Sequence, residues 1–351
     1  MKAQKLFCLL LSLILLLLVG CSKPASTGGE SGDLSSDEAS KTSSSAPVIE
    51  YFVNNLTGEK NLTADERGLK PLAVAINNIS VAQKVQSGIG FADVVFETEV
   101  EGGITRLLAL YKAPKEEYGP IGAIRSARVV FAELAKSMNA AYVFHGRDEK
   151  YCTPRIKALG LPCIEISEKA YGERKSNGLS WEHRLYTSGK GLKNAIRDKG
   201  YSNNSDEPAW LKFTDEKQMP TEKIAQKVQA KFNSTYITEF YYNSDSGKYC
   251  RGAKGVIFTD YTSGKNEEFK NVFVLKTEMH YFSDNYHRDI KLNGGSGYYA
   301  TGGRYEEIRW SKSGEDTPIK FFDAYGNELS VAVGNSYVCI VSQVSGGFIA
   351  E

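Results

Sequence analysis

The chain has no Gly-x-Ser-x-Gly string, no phosphate-binding loop and no dinucleotide fingerprint. The usual sequence marks of a serine hydrolase, a nucleoside triphosphatase and a nicotinamide enzyme are therefore missing. It also has no Cys-x-x-Cys pair and no Cys/His cluster of zinc type. One loose grouping, His280, Asp284, His287 and Asp289, matches no usual ligand spacing. No metal and no cofactor are expected. A fixed-period repeat is lacking too, and so is a surplus of charge. Once Lys2 and Lys5 of the leader are set aside, 41 Lys and Arg stand against 42 Asp and Glu. A chain so near neutrality has no general attraction for nucleic acid, and no such partner is expected.

What is present begins at the N-terminus. Met1–Lys5 is short and basic, Leu6–Val19 is an almost unbroken apolar run, and Leu18-Val19-Gly20-Cys21 closes it. The run is too short for a comfortable membrane span of about 20 residues. Small residues before a cysteine read as a bacterial lipoprotein signal peptide, residues 1–20. Cys21 is then the lipidated first residue of the mature chain. A diacylglyceryl thioether carries two acyl chains, the number that anchors stably. Residues 22–47 are dominated by Ser, Thr, Gly, Asp and Glu, too polar to build a core. They read as a tether with a reach on the order of 25–30 Å. The expected location is the outer face of the cytoplasmic membrane, held there by lipid.

The remaining residues, roughly 300, suffice for two domains. The fold class read from them is α+β: a mixed α/β domain over 48–205, a connection over 206–234, and a mostly antiparallel β domain over 235–351. Strands are expected at Pro71–Ile76, Asp93–Glu101, Ile104–Tyr111 and Ala140–Phe144, the second and third as a hairpin. Helices are expected from Ser126, as its cap, to about Met138, over Asp148–Leu159, over Gly191–Lys199, and briefly over Thr221–Phe232. From Thr235 onward, aromatic and β-branched runs alternate with Gly-containing turns every ten to fifteen residues, the texture of a small sheet or barrel. Besides Cys21 the mature chain has Cys152, Cys163, Cys250 and Cys339. An exported chain can hold disulfides. Cys152–Cys163 with Cys250–Cys339 is the simplest of three possible pairings, and free buried thiols are the alternative.

The stretch most suggestive of function is Asp93–Arg128. Alternation along a strand puts Val94, Phe96, Thr98 and Val100 on one face and Glu97, Glu99 and Glu101 on the other. Three carboxylates roughly 7 Å apart need water or cations, and Arg106, Arg125 and Arg128 follow closely. Arg125 and Arg128, with the Ser126 hydroxyl, make a candidate phosphate or carboxylate pocket, since guanidinium binds such groups bidentately. Internal pairing of the arginines with the glutamates is the other reading. A crowded, partly desolvated Glu101 would have a raised pKa and could act as a general acid or base. His183, and less so His145, could shuttle protons if they converge on the arginines.

Three strings carry a family resemblance: Glu101-Gly102-Gly103-Ile104-Thr105-Arg106, Ile121-Gly122-Ala123-Ile124-Arg125-Ser126-Ala127-Arg128, and Trp181-Glu182-His183-Arg184-Leu185-Tyr186-Thr187-Ser188. Together with Tyr249-Cys250-Arg251, Asn271–Val274, Trp310 and Phe322-Asp323, they resemble the YerB-like lipoproteins of Gram-positive bacteria. The third string departs from the family's pattern at Glu182 and Arg184, the neighbours of His183. The resemblance implies two domains and an envelope location, and no reaction. Two functions are carried forward. One is a binding or scaffold lipoprotein that grips an anionic envelope polymer or engages an envelope protein. The other is an envelope hydrolase or transferase acting on a glycan or phosphodiester polymer, with Glu101 and His183 moving protons and the arginines as clamps.

Overall fold

Leu72-Ala73-Val74-Ala75-Ile76 is apolar at every position, the pattern of a strand covered on both faces rather than one. A computed structural model, which describes residues 50–201, 209–215 and 223–351, places it as an interior strand of a ten-stranded sheet. The leader, Cys21, the 22–47 tether and parts of the 206–234 connection lie outside the described residues.

The first half supplies β1 (Leu72–Asn77), β2 (Val94–Glu99), β3 (Thr105–Tyr111), β4 (Pro120–Gly122), α1 (Val129–Ser137), β5 (Ala141–Phe144), α2 (Cys152–Ala158), β6 (Cys163–Glu165), β7 (Leu185–Ser188) and α3 (Gly189–Lys199). The second half is built of strands among its described residues. Those used below are β8 (Lys227–Lys231), β9 (Ile237–Asn243), β10 (Lys248–Ala253), β11 (Asn271–Thr277), β12 (Met279–Tyr281), β13 (Arg288–Ile290), β14 (Gly294–Thr301), β15 (Arg304–Ser311), β16 (Lys320–Phe322), β17 (Ser336–Ser342) and β18 (Gly347–Ala350).

The large sheet has the order β16-β15-β14-β11-β17-β2-β3-β1-β5-β6. Both halves therefore share it, joined where Ser336–Ile340 of β17 runs parallel to Val94–Thr98 of β2. Most pairings in the second half are antiparallel, but β17 is parallel to both of its neighbours. Its run Tyr337-Val338-Cys339-Ile340-Val341 is buried throughout, as parallel strands require. β2 and β3 form the expected hairpin, with Val94 opposite Leu110 and Glu99 opposite Thr105. One face of the sheet packs on α1, α2 and the Trp210-Leu211 segment. The other packs on α3 and on a smaller sheet containing β10, β9, β8 and β18 in that order.

Three expectations are corrected. The short helix over Thr221–Phe232 is strand β8 across Lys227–Lys231, because its backbone finds partners on both sides, β9 and β18. Val228, Ala230 and Phe232 alternate into the core accordingly. Helix α1 starts at Val129 with Arg128 as its cap residue, so Ser126 lies before the helix instead of capping it. Finally, Cys152, Cys163, Cys250 and Cys339 are all free thiols. Cys250 and Cys339 belong to different sheets, and Cys250 Sγ donates to Glu268 at 3.3 Å instead. Burial pushes the Cys152 thiol up to about 12 and those of Cys163 and Cys250 up to about 11, so these cysteines behave as small apolar groups.

Candidate functional site

Strands β11, β17, β2, β1, β5 and β6 all point the same way. Their carboxyl ends make one edge of the sheet, the edge where open α/β sheets offer a crevice to ligands. Here β1 and β5 pair only from Leu72 to Val74 and then splay. The segment Ile124–Ala127 fills the gap. Arg125 N–H donates to the Ala75 carbonyl (2.9 Å), His145 N–H to the Arg125 carbonyl (3.1 Å) and Ala127 N–H to the Gly146 carbonyl (2.9 Å). On its far side Ile124 N–H donates to the Leu185 carbonyl at 2.7 Å. Gly122 opens this segment at φ +151°, where a Cβ would stand 2.9 Å from the Leu185 carbonyl oxygen, so a glycine is required. With its main chain bonded on both sides, the segment is a rigid mount for Arg125, Ser126 and Arg128.

The three glutamates do not share one face of partners. β2 ends at Glu99, and Glu101 lies in a 3-10 turn with Gly102 and Gly103 at φ +70° and +69°. Strand alternation therefore stops before Glu101, whose carboxylate turns to the arginines. Arg128 Nε donates to Glu101 Oε2 at 2.6 Å and its Nη2 pairs with Oε1, the bidentate geometry that guanidinium favours. Arg106, opposite Asn77 in the sheet, approaches the same Oε1 at 3.5 Å and donates to the Ser126 carbonyl at 3.0 Å. Glu99 pairs instead with Arg288 of β13 and accepts from Asn233 at 3.0 Å. Glu97 is turned inward, accepting from Asn78, Thr105, Thr238 and Tyr337 at 2.7–2.9 Å.

Electrostatics follow from this geometry. Burial alone would raise the Glu101 carboxyl, but the Arg128 hydrogen bond and the charges of Arg106 and Arg128 hold it down to about 2. Glu101 is thus a fixed anion at neutral pH, not the raised acid that crowding by Glu99 would have made. Burial, then repulsion from Arg128, brings Arg106 down to about 9, so it remains charged. Arg125 is different. It is half-buried, makes no side-chain hydrogen bond or ion pair among the described residues, and its Nε is buried without a partner. Burial lowers its pKa, partly offset by Glu182. Two guanidiniums, those of Arg106 and Arg128, therefore hold one buried carboxylate, while Arg125 feels the charge of the half-exposed Glu182.

The histidines fall on either side. His183 is buried, with Nδ1 2.7 Å from the Asn77 amide nitrogen and Nε2 3.7 Å from the Glu182 carboxylate. An amide N–H can only donate, so Nδ1 accepts and Nε2 carries the proton. Burial and then the Arg125 charge lower its pKa, which keeps the ring neutral. His145 lies beside Arg125 through its backbone, yet its ring turns away: Nδ1 donates to the Ile166 carbonyl at 2.7 Å and Nε2 faces Arg174 at 3.4 Å. The structure brings together Glu101, Arg106, Arg125 and Arg128, with Ser126 between the last two and His183 beside Arg125. Asn77 and Glu182 also belong to the site. Asn77 shows in the sequence only as the end of an apolar run, and Glu182 only as a neighbour of His183.

Residues 56–202 match the family model described as "Protein of unknown function (DUF3048) N-terminal domain", and residues 227–338 match its C-terminal counterpart. The "Putative lipoprotein YerB" of Bacillus subtilis (strain 168) is 29% identical over 313 residues, covering 83% of this chain and 90% of that protein. A crystal structure of the YerB protein from Bacillus subtilis superposes with a TM-score of 0.72 at 25% identity, covering 85% of this chain and 99% of the other. The chain belongs to the YerB-like family. The arginine segment and the Glu101 turn lie within the N-terminal domain of that family, while Arg288, which holds Glu99, comes from the C-terminal one.

Proposed function

We propose that this YerB-like protein is a lipid-anchored binding or scaffold protein of the cell envelope. Cys21 carries the lipid and residues 22–47 form the tether. The crevice at Arg125 grips an anionic group of an envelope polymer outside the membrane. The observation that carries this reading is Arg125 itself. A half-buried guanidinium with an unpartnered Nε has given up part of its hydration without a protein acceptor in return, which is costly unless a ligand supplies one. Ser126, the next residue, has a hydroxyl with no side-chain hydrogen bond among the described residues and is a further candidate donor. The tightly held Glu101 pairs with Arg128 and Arg106 and offsets part of their charge. With its carboxyl at about 2 it has no proton to deliver near neutral pH.

The test uses the full chain purified in detergent and incubated with cell-wall fragments and with teichoic-acid polymer. Saturable retention without product release, lost in Arg125→Ala, is the expected result. Absence of retention on every polymer would overturn the reading. Product release abolished by Glu101→Gln would replace it with the hydrolase or transferase.

A further inference from the structure

The chain exposes a large aromatic side chain on a rigid mount. Trp181 opens the 3-10 turn Trp181–His183 and is 58% exposed. The Arg174 guanidinium carbon lies 4.0 Å from the centroid of its ring. Arg174 is in turn almost fully buried and bonded through every nitrogen: Nε to Glu168 (3.2 Å), Nη1 to the Trp181 carbonyl (2.7 Å) and Nη2 to His145 Nε2 (3.4 Å). His145 is fixed from behind by the Ile166 carbonyl. One face of the indole is thus clamped by a buried column, and no other ring contact is made by Trp181 among the described residues. The same turn carries Glu182, whose charge acts on Arg125, and His183, on which the Arg125 charge acts. His145, which braces this column, also donates its main-chain N–H to the Arg125 carbonyl at 3.1 Å, so the platform and the arginine segment are joined through one residue.

From this we infer that the open face of Trp181 is a stacking subsite for a pyranose ring, so that the ligand of the Arg125 crevice is an anionic saccharide and not merely a polyanion. The inference rests on the anion-binding reading above and adds the ligand class to it. The physical basis is the ring's quadrupole. The negative face of an indole attracts the partly positive C–H face of a sugar, while the sugar's hydroxyls stay in water at its rim. A cation fixed on the back face holds the ring in place, so little side-chain entropy is lost when the ligand docks. A phosphate or carboxylate on the same sugar, or on its neighbour, then reaches Arg125 and Ser126. A polyanion without rings would use the guanidiniums and leave Trp181 bare.

The protein supplies its own probe. Trp210 and Trp310 are 3% and 2% exposed against 58% for Trp181, so acrylamide quenching of tryptophan emission reports mainly on Trp181. The full chain in detergent is titrated with oligogalacturonate and with polyglutamate of equal charge. Oligogalacturonate is expected to protect the emission from acrylamide and to bind about ten-fold more weakly to Trp181→Ala, a size typical of losing one aromatic stack. Polyglutamate should bind both proteins equally and give no protection, and Arg125→Ala should weaken both polymers. If both polymers bind but Trp181→Ala changes neither, or changes both alike, the sugar subsite is overturned while the anion site stands. If neither binds the unmodified protein, the anion site itself falls and the subsite with it. Trp181→Phe, which keeps a stacking face, should recover most of the lost affinity. Failure of that rescue with polyglutamate binding intact also counts against the inference.

Discussion

Two clusters of arginine and glutamate flank the end of β1 and are built to opposite rules. In the interior, Arg251 is fully buried and paired with Glu267 at 2.6 Å, and it donates to Gln86 (3.0 Å) and Asn78 (2.7 Å). It also lies over the rings of Phe258 and Tyr337. At the sheet edge, Arg125 has no acceptor for its guanidinium among the described residues and is half-exposed. Consecutive residues feed the two: Asn77 goes to His183 beside the crevice, and Asn78 to Glu97, Thr105 and Arg251 inside. The interior cluster ties residues 78–105 of the first half to Thr238, Arg251 and Tyr337 of the second. Saturation and burial mark a group that holds the fold together. An unsatisfied, half-open one marks a group that holds something else.

The largest expected effect tests the interior side of this contrast. Arg251→Met leaves Glu267 buried without its cation and should cost about 3–5 kcal/mol of unfolding free energy. A lower urea midpoint with unchanged slope is the expected readout, with polymer retention by the folded fraction intact. A cost below about 1 kcal/mol would mean that the pair does not join the halves.

Glu101 is intermediate, because it is paired yet sits at the mouth. Its carboxyl titrates at about 2 in the fold against its ordinary 4.5. The stability it contributes is therefore complete above pH 4.5 and is lost as the pH falls through 2. Allowing for solvent at the crevice, the contribution is on the order of 2 kcal/mol. Glu101→Gln should flatten the acid-denaturation curve between those pH values. It should also bind anions several-fold more tightly at pH 7, since one negative charge is gone. Weaker binding in this variant would show that Glu101 matters mainly by placing Arg106 and Arg128.

The smallest change in stability belongs to the residue with the largest expected effect on binding. Arg125→Ala should move the unfolding free energy by no more than about 0.5 kcal/mol, as for a side chain without protein partners. A loss above about 2 kcal/mol, measured by thermal or urea unfolding, would make Arg125 a structural residue and erase the contrast.

Much of this site could be read along the chain. Glu101, Arg106, Arg125 and Arg128 lie in one 28-residue window, and the Gly102-Gly103 turn that aims Glu101 is visible as a turn. Placing Glu101 on the face of Glu97 and Glu99 extends strand alternation two residues too far, past the point where the chain leaves the sheet at Val100. The helix expected to end at Phe232 failed for a related reason, since β8 is fixed by partners at Ile237–Tyr241 and Gly347–Ala350. Asn77 and Glu182 gained their places only through contacts with residues elsewhere in the chain.

Taken alone, the sequence determined where an apolar run precedes Cys21, where polar composition gives way to apolar patterning, most strands and helices, and the charged segment of the candidate site. These are local properties of composition and period. Tertiary structure decided which carboxylate meets which guanidinium, that β17 of one half lies against β2 of the other, and that Arg125, unlike Arg106 and Arg128, has no acceptor among the described residues. Such facts depend on sheet order and register between residues up to about 240 positions apart. Periodicity along the chain carries no information about partners at that range.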